Sequence, residues 1–572
     1  MRSLDTDILI LGSGGAGLFA ALHAHKADPS LSITVAVKGL LGKCGCTRMV
    51  QGGYNVALAK EDSIERHFMD TIEGGKWLPD QELAWKLVTL AVERIRELEN
   101  ELGCFFDRNA DGSVHQKAFA GQTFDRTVHK GDLTGIEIIN RLAEQVWARK
   151  IQRLEEFRAV ELIKNREGSA IAGVLFIDMR TGEYVFVRAK AVLLATGGGP
   201  TMYKYHTPSG DKSCDGLAMA LRAGLALRDM EMVQFHPTGL YAGTHTRMTG
   251  TVLEEGLRGA GGYLLNGAKE RFMPKYDPKA ERATRDFVSR AMYSEMRAGN
   301  TSPNGGLFIS MGHLNREMVA KQFKGMVERC ADCGFDLAGG LVEVVPTAHY
   351  MMGGVEFRAD CSTEMRGLFV AGEDAGGVHG ANRLGGNGVA NSTVFGAVAG
   401  DTMADWVAKH GEFREPDRNL LETAVQRCEP RSSGTQASLE PLRERLYDVM
   451  WEKVGIIRDA AGLKAGLSEL AALEGELDRA GIAGADRAFN LTWQDWLNLK
   501  NLVQASRAIA EAALARTDSR GAHFREDLPE AGPLESSSFT SVRLEGAKPK
   551  VGSKPVAFTR VRPGETLLKD AA

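Results

Sequence analysis

The stretch Asp7-Ile8-Leu9-Ile10-Leu11-Gly12-Ser13-Gly14-Gly15-Ala16-Gly17 decides the fold. Asp7 to Leu11 is a short apolar run of the kind that forms a buried parallel strand. Gly12, Gly14 and Gly17 follow in the spacing G-x-G-x-x-G. Leu18 to His25 then reads as helix, and Ser32 to Val37 as a second strand. A βαβ unit with these glycines at its first turn points to a bound dinucleotide. The first glycine makes the turn and the second admits backbone close to a pyrophosphate. The third lets helix and strand pack closely. Without a ligand the spacing would be only a tight β–α turn. The second strand ends in Val37-Lys38, where NAD would call for an acidic ribose partner, so NAD is disfavoured.

Strands running into glycines recur further along. Ala191 to Ala195 enters Thr196-Gly197-Gly198-Gly199, and Gly367 to Ala371 enters Gly372-Glu373. One ligand-binding sheet is thus expected from distant segments, with Glu373 either a ribose partner or a helix-start carboxylate. About Tyr241 to Val345 is mixed and Arg/Glu-rich, as for an inserted domain. About Glu415 to Arg516 repeats apolar residues at three- and four-residue steps and reads as helical. The Ser/Lys/Pro-rich end reads as an extended surface tail.

A chain of 572 residues needs two or three domains. Its 70 basic and 74 acidic residues are spread along it, which excludes an evident nucleic-acid footprint. The eight cysteines are scattered, as in a reducing compartment, and no apolar run reaches the ~20 residues of a membrane span. Met1 to Asp7 lacks signal-peptide anatomy. A cytoplasmic location is expected, with any attachment to the inner membrane made through a partner subunit.

Eleven ordered segments between about residues 5 and 530 resemble one family. They are GSGGAG (12–17), QGGYNVAL (51–58), LLATGGG (193–199), DGLAMALRAG (215–224), VQFHPTGL (233–240), EGLRGAGGYLLN (255–266), RDFVSRAM (285–292), PTAHYMMGGV (346–355), GLFVAGE (367–373), HGANRLGGN (379–387) and SRGAHFRED (519–527). The family is the flavoprotein subunit of succinate dehydrogenase and fumarate reductase, with L-aspartate oxidase among its relatives. The resemblance implies an α/β protein with a discontinuous Rossmann-like FAD domain (1–240 and 346–410). It also implies an inserted α+β capping domain (241–345) and a helical domain (411–535), leaving 536–572 as tail. It places FAD against Gly12, Ser13, Gly14, Gly15, Ala16, Gly17, Lys38, Thr47, Gln51, Gly52 and Gly53. Further FAD contacts would come from Thr196, Gly197, Asp215, Glu373, Arg383, Gly388 and Val389.

A dianionic substrate needs cationic and hydrogen-bonding groups at both ends, aimed at the flavin. His236, His349, Arg290 and Arg383 offer them. Arg383 stands among small neighbours that could aim its fork at a carboxylate. By similarity His236, His349 and Arg383 hold carboxylates, and Arg290 moves the proton while hydride passes between substrate carbon and flavin N5. Glu255 and Arg258 either relay that proton or form a structural salt bridge. Phe119 and Gln122 match a loop over the substrate, and Phe119-Ala120 favours a substrate without an amino group. A succinate-like acid and its fumarate-like product are the expected pair, with electrons passed to an iron–sulfur partner or a soluble carrier. The alternatives are an L-aspartate oxidase, a dehydrogenase of a modified dicarboxylate and a flavin-binding partner without catalysis of its own.

The chain departs from the family pattern in three places. Five residues before Gln51, where membrane-complex members link FAD to histidine, stands Cys46, so FAD is expected to be held non-covalently, with a thioether through Cys46 as the alternative. Glu254 replaces a threonine. A second acid beside Glu255 would repel a dianion, which is the reason for considering a modified substrate. The tail lacks the family's tryptophan-lysine-histidine ending. Cys330-x-x-Cys333 has no second pair to complete a zinc site and reads as two incidental thiols, and no metal is expected. Cys44-Gly45-Cys46 is a redox candidate only through its nearness to the flavin.

Overall fold

Strand β1 (Arg2–Leu11) is fully buried from Ile8 to Leu11, as the centre of a parallel sheet requires. It pairs in parallel with Ile33–Val37 on one side and with Glu183–Leu194 on the other. Leu368–Val370 joins beside Glu183–Leu194, also in parallel, and the sheet has seven strands. Register brings the separated glycine turns together, because Leu11 lies opposite Leu194 and Leu194 opposite Val370. Three strands therefore end at one edge, where an open α/β sheet receives its ligand. The computed structural model describes residues 1–243, 246–430, 438–482 and 486–568.

Helix α1 (Gly15–Ala27) is buried from Gly15 to Ala24 and packs on the long helix Asn387–His410. Small residues set that contact. A Cβ on Gly396 would lie 2.6 Å from the Ala16 carbonyl oxygen, and one on Gly400 would lie 2.4 Å from that of Ala20.

A second sheet is antiparallel, in the order Val233–Leu240, Leu341–Met351, Leu307–Ser310, Tyr263–Leu265. Leu264, Val288, Met292 and Val342 bury their side chains in its core, with helix Arg285–Arg297 supplying two of them. Composition sets the limits of the inserted segment at 241 and 345. Strands Val233–Leu240 and Leu341–Met351 run through or up to those limits, so a paired ribbon joins the cap to the dinucleotide-binding body.

The end of the chain corrects the expectation of a surface tail. Ser538–Glu545 and Lys548–Pro555 form a hairpin, which extends a four-stranded sheet through Leu227–Arg228. Val542 is fully buried, and Val561 packs with Phe68, Met69 and Trp77. Gln81 accepts from the backbone N–H groups of Arg560 and Val561 and donates to the Val561 carbonyl. Composition misled here because backbone pairing holds the hairpin, in which Thr540, Ser541 and Val542 are buried and Lys548–Pro555 buries no residue.

A small sheet of Tyr54–Asn55, Thr127–Val128 and Gln116–Lys117 holds the loops that carry Gly53 and Phe119. Fully buried Arg126 anchors it. Its Nε and Nη2 donate to Asp62 at 2.9 Å each, and its Nη1 donates to Asp70 at 2.5 Å. Removing this guanidinium strands two buried carboxylates. Arg126→Leu is expected to cost about 3–5 kcal/mol, read as a lower urea midpoint of the purified protein.

Candidate active site

Two adjoining cavities open at the carboxyl edge of the parallel sheet. Gly14, Gly197 and Lys212 line both. The smaller cavity is walled by Gly12, Ser13, Lys38, Thr196 and Asp215. Gly12 has φ +110°, and a Cβ there would lie 2.1 Å from the Ala195 carbonyl oxygen, so only glycine makes this turn. Gly17 lines neither cavity and serves packing, since its Cβ would meet the Gly12 carbonyl oxygen at 2.0 Å. Lys38 Nζ donates to Asp215 Oδ2 at 2.9 Å, and Arg158 Nη2 donates to Asp215 Oδ1 at 2.8 Å. Burial alone would raise Asp215, but Arg158 and Lys38 hold its carboxylate well below the usual range. Ser13 Oγ is buried without a hydrogen-bond partner, as expected of a hydroxyl placed for a ligand.

The larger cavity gathers Gly15, Ala16, Thr47, Gln51, Gly52 and Gly53 with Glu373, Gly388 and Val389. Thr47 Oγ1 accepts the Gly15 N–H at 3.0 Å, at the start of α1. Glu373 accepts the N–H groups of Met351 (2.9 Å) and Gly199 (3.3 Å). Cys46 lies on this wall as a free thiol, pushed up to about 12 by burial.

His236, His349, Arg383, Phe119 and Glu254 also line the larger cavity, with Glu255 and Arg285. The imidazole centroids of His236 and His349 are 5.5 Å apart. The two residues come from neighbouring strands whose register shifts on either side of Phe235 and His236, and such irregularities re-aim side chains. His236 Nδ1 accepts the Thr238 N–H at 3.3 Å, which leaves Nε2 to carry the proton. His349 Nδ1 bonds Thr207 Oγ1 at 2.7 Å. Burial, with Arg285 beside them, holds both imidazoles well below their ordinary pKa, so they are neutral donors. Burial and Arg285 also lower Arg383, to about 10. Its guanidinium lies 4.4 Å from the Tyr350 ring centroid, and its Nε is buried without a partner.

Arg290 is not at this site. It sits between the rings of Phe287 (4.7 Å) and Phe524 (4.6 Å), and it lines a separate small crevice. Arg285 takes the place expected of it. Arg285 Nε and Nη2 donate to Glu255 Oε2 at 3.2 and 2.8 Å, and Nη1 donates to Gln234 Oε1 at 3.1 Å. The helix phase carried this signal. Arg285 lies at i, i+3 and i+7 with the buried Val288 and Met292, and Arg290 falls outside that stripe. Arg258 does not line the cavity but donates to Glu255 Oε1 at 2.8 Å. Burial favours a protonated Glu255, and Arg285 with Arg258 overcomes it, holding the carboxylate below its usual range. A Cβ on Gly385 would lie 2.6 Å from Glu255 Oε2 and 3.1 Å from Arg285 Nη2, so this glycine lets the loop bearing Arg383 meet the cap.

Gln122 also lies off the cavity wall. Its amide nitrogen donates to Asn55 Oδ1 at 3.2 Å and to the Gly385 carbonyl at 3.0 Å, tying the loop down. Glu254 is on the wall but is not a lone acid, because its Oε1 accepts from Lys117 Nζ. Burial raises Glu254, and Lys117 opposes the shift. Sequence reading missed Lys117 because it is far from Glu254 along the chain.

The glycine cradle, the orphaned Ser13 hydroxyl and the linked cavities fit FAD, and they define a dinucleotide-dependent oxidoreductase. Residues 7–389 match the FAD binding domain family, and residues 443–567 match the fumarate reductase flavoprotein C-terminal family. A fumarate reductase (CoM/CoB) polypeptide of Methanothermobacter marburgensis is 40% identical over 537 residues, covering 92% of this chain and 95% of that protein. The fumarate reductase flavoprotein subunit of Escherichia coli is 33% identical over 612 residues, covering 100% and 98%. A solved Escherichia coli quinol fumarate reductase chain superposes with TM-score 0.93 at 31% identity over 99% of each chain. The chain belongs to the flavoprotein family of fumarate reductase and succinate dehydrogenase, whose members are FAD-dependent oxidoreductases.

Malonate, a simple dianion, should perturb the visible spectrum of the FAD-loaded protein. Arg285→Met is expected to weaken its binding about tenfold or more, the worth of a charge-assisted hydrogen bond. Arg290→Met should leave the dissociation constant within about twofold, as expected of a residue outside the cavity.

Proposed function

We propose that this protein interconverts a succinate-like dicarboxylate and its unsaturated, fumarate-like product. The reading is carried by one observation, the gathering of His236, His349, Arg285 and Arg383 on the wall of a single cavity. Three guanidinium groups, Arg258, Arg285 and Arg383, face the one carboxylate of Glu255, while Lys117 pairs with Glu254. Around Glu255 the guanidinium groups thus outnumber the carboxylate, which favours an anionic substrate such as a dicarboxylate. Neutral imidazoles donate hydrogen bonds without adding charge. Arg383 offers a fork to one carboxylate.

FAD, when bound, supplies the hydride acceptor or donor. Arg285 is the residue best placed to hold and move the proton, since Glu255 and Arg258 connect it inward to the cap. Cys46 is a thiol where a linking histidine would stand, and this supports FAD held without a covalent bond. An iron–sulfur partner subunit, or a soluble carrier, takes the electrons. Among the described residues no helix is long and apolar enough to cross a membrane, so attachment to the inner membrane would come through that partner.

The pairing of Glu254 with Lys117 removes the reason for a substrate with a neutral or cationic end. The purified yellow protein tests the whole reading. Acid precipitation should release its colour into the supernatant. Succinate should bleach the oxidised protein anaerobically, and fumarate should restore colour to the dithionite-reduced protein. Failure of every C4 and C5 acid to do either would overturn the assignment, and bleaching by L-aspartate with peroxide release would replace it with the oxidase.

The Lys117–Glu254 pair makes a separate prediction. Lys117→Met removes the cation that opposes the upward shift of Glu254, so malonate binding should weaken about tenfold at alkaline pH, where the unpaired acid ionises, and less at acid pH, where it is neutral. Adding Glu254→Thr to the same protein should restore most of that loss, because the offending charge is then gone. Spectral titration of the single and double variants checks both.

A further inference from the structure

Lys212 differs from Lys38, the other lysine that lines the two cavities. Lys38, Lys117 and Lys190 each pair with a carboxylate, from Asp215, Glu254 and Asp7 respectively. Lys212 forms no ion pair among the described residues. Its ammonium donates to the Thr196 carbonyl oxygen at 2.7 Å, at the carboxyl edge of the sheet. It lies on the wall that the two cavities share. A Cβ on Gly197 would lie 3.1 Å from Lys212 Nζ, and one on Gly45 would lie 3.5 Å from it, so the cation is confined between those two turns.

A confined cation without a counter-charge is costly. Burial disfavours the ammonium, but the nearby acids, Asp211 and Glu373 among them, outweigh it at a distance and keep Lys212 charged without touching it. Burial raises the thiols of Cys44 and Cys46, which therefore stay uncharged. The Asp211 carboxylate accepts from Ser209 Oγ, and Glu373 is occupied by the N–H groups of Met351 and Gly199. The chain thus holds a positive charge beside the cofactor cavity and supplies no direct partner for it.

We propose that Lys212 is a positioning residue that raises the reduction potential of bound FAD by holding this charge beside it. The inference rests on the FAD reading. Uptake of two electrons and one proton leaves the cofactor with one more negative charge than its oxidised form. A fixed cation therefore favours the reduced form over the oxidised one, beyond any contact with the phosphates, which are the same in both. The Coulomb attraction of a unit pair in a partly dry site is large enough to matter at several ångströms.

The measurement is the two-electron midpoint potential of the purified holoprotein, titrated with reductant against reference dyes, together with the dissociation constant for oxidised FAD. Lys212→Met is expected to bind reduced FAD about tenfold less well relative to oxidised FAD, a fall of about 30 mV for a two-electron couple. Lys212→Arg should restore the potential. Asp211→Asn, which removes a neighbouring acid, should shift it upward. An unchanged potential in Lys212→Met overturns the proposal, and so does an equal loss of affinity for both redox forms, which would make Lys212 a phosphate contact only. If Lys212→Met retains no cofactor, Asp211→Asn decides, and no upward shift then overturns the proposal. The titration needs no substrate, so the result stands apart from which acid is turned over. A wild-type protein unable to take up FAD would instead sink the cofactor reading itself.

Discussion

The fold is organised around a crowd of like charges kept out of water. Arg258, Arg285 and Arg383 approach the single carboxylate of Glu255. Desolvating three guanidinium groups is expensive, and fixed acceptors offset the cost. Glu255 takes two of them, the Glu281 carbonyl takes one donor from Arg258, and Gln234 takes one from Arg285. Arg383 has the least support, and burial together with Arg285 lowers its pKa to about 10. The histidines are neutral for the same reason, since further positive groups would be harder still to hold.

Such a site needs two bodies to close on one another. Arg383 and Gly385 come from the loop before the long helix Asn387–His410, on the dinucleotide-binding side. Glu255, Arg258 and Arg285 come from the cap. Their meeting depends on Gly385, where any side chain would strike Glu255 or Phe119. Strand register does the equivalent work for the cofactor cavities. Leu11, Leu194 and Val370 stand side by side, so three glycine turns far apart in sequence become one rim.

How much of this is legible in the sequence depends on the range of each interaction. The cradle Gly12 to Gly17 is local, and its geometry follows from spacing. The placing of His236, His349 and Arg383 in short Gly-, Pro- and Thr-rich segments is legible from the family resemblance. Choosing between Arg285 and Arg290 needs the helix phase, which is present in the sequence but outweighed by the motif as a whole. The Lys117–Glu254 pair is not legible, because a contact between residues 137 positions apart leaves no local trace. The hairpin Ser538–Pro555 is hidden for a different reason. Its partner, Leu227–Arg228, is only two residues long, and few of its own side chains are buried.

The ribbon that crosses between the bodies has a mechanical consequence. Val233–Leu240 pairs with residues 344–351 of its neighbour Leu341–Met351 across two register shifts, and together they form one strap. His236 and His349 ride on that strap, and Ser289 fastens the helix bearing Arg285 to it through the Phe235 carbonyl at 3.0 Å. Arg285 Nη1 also donates to Gln234 on the same strap at 3.1 Å. The two imidazoles and Arg285 therefore share one frame, and a displacement of the loop bearing Arg383 would widen the cavity without disturbing that frame.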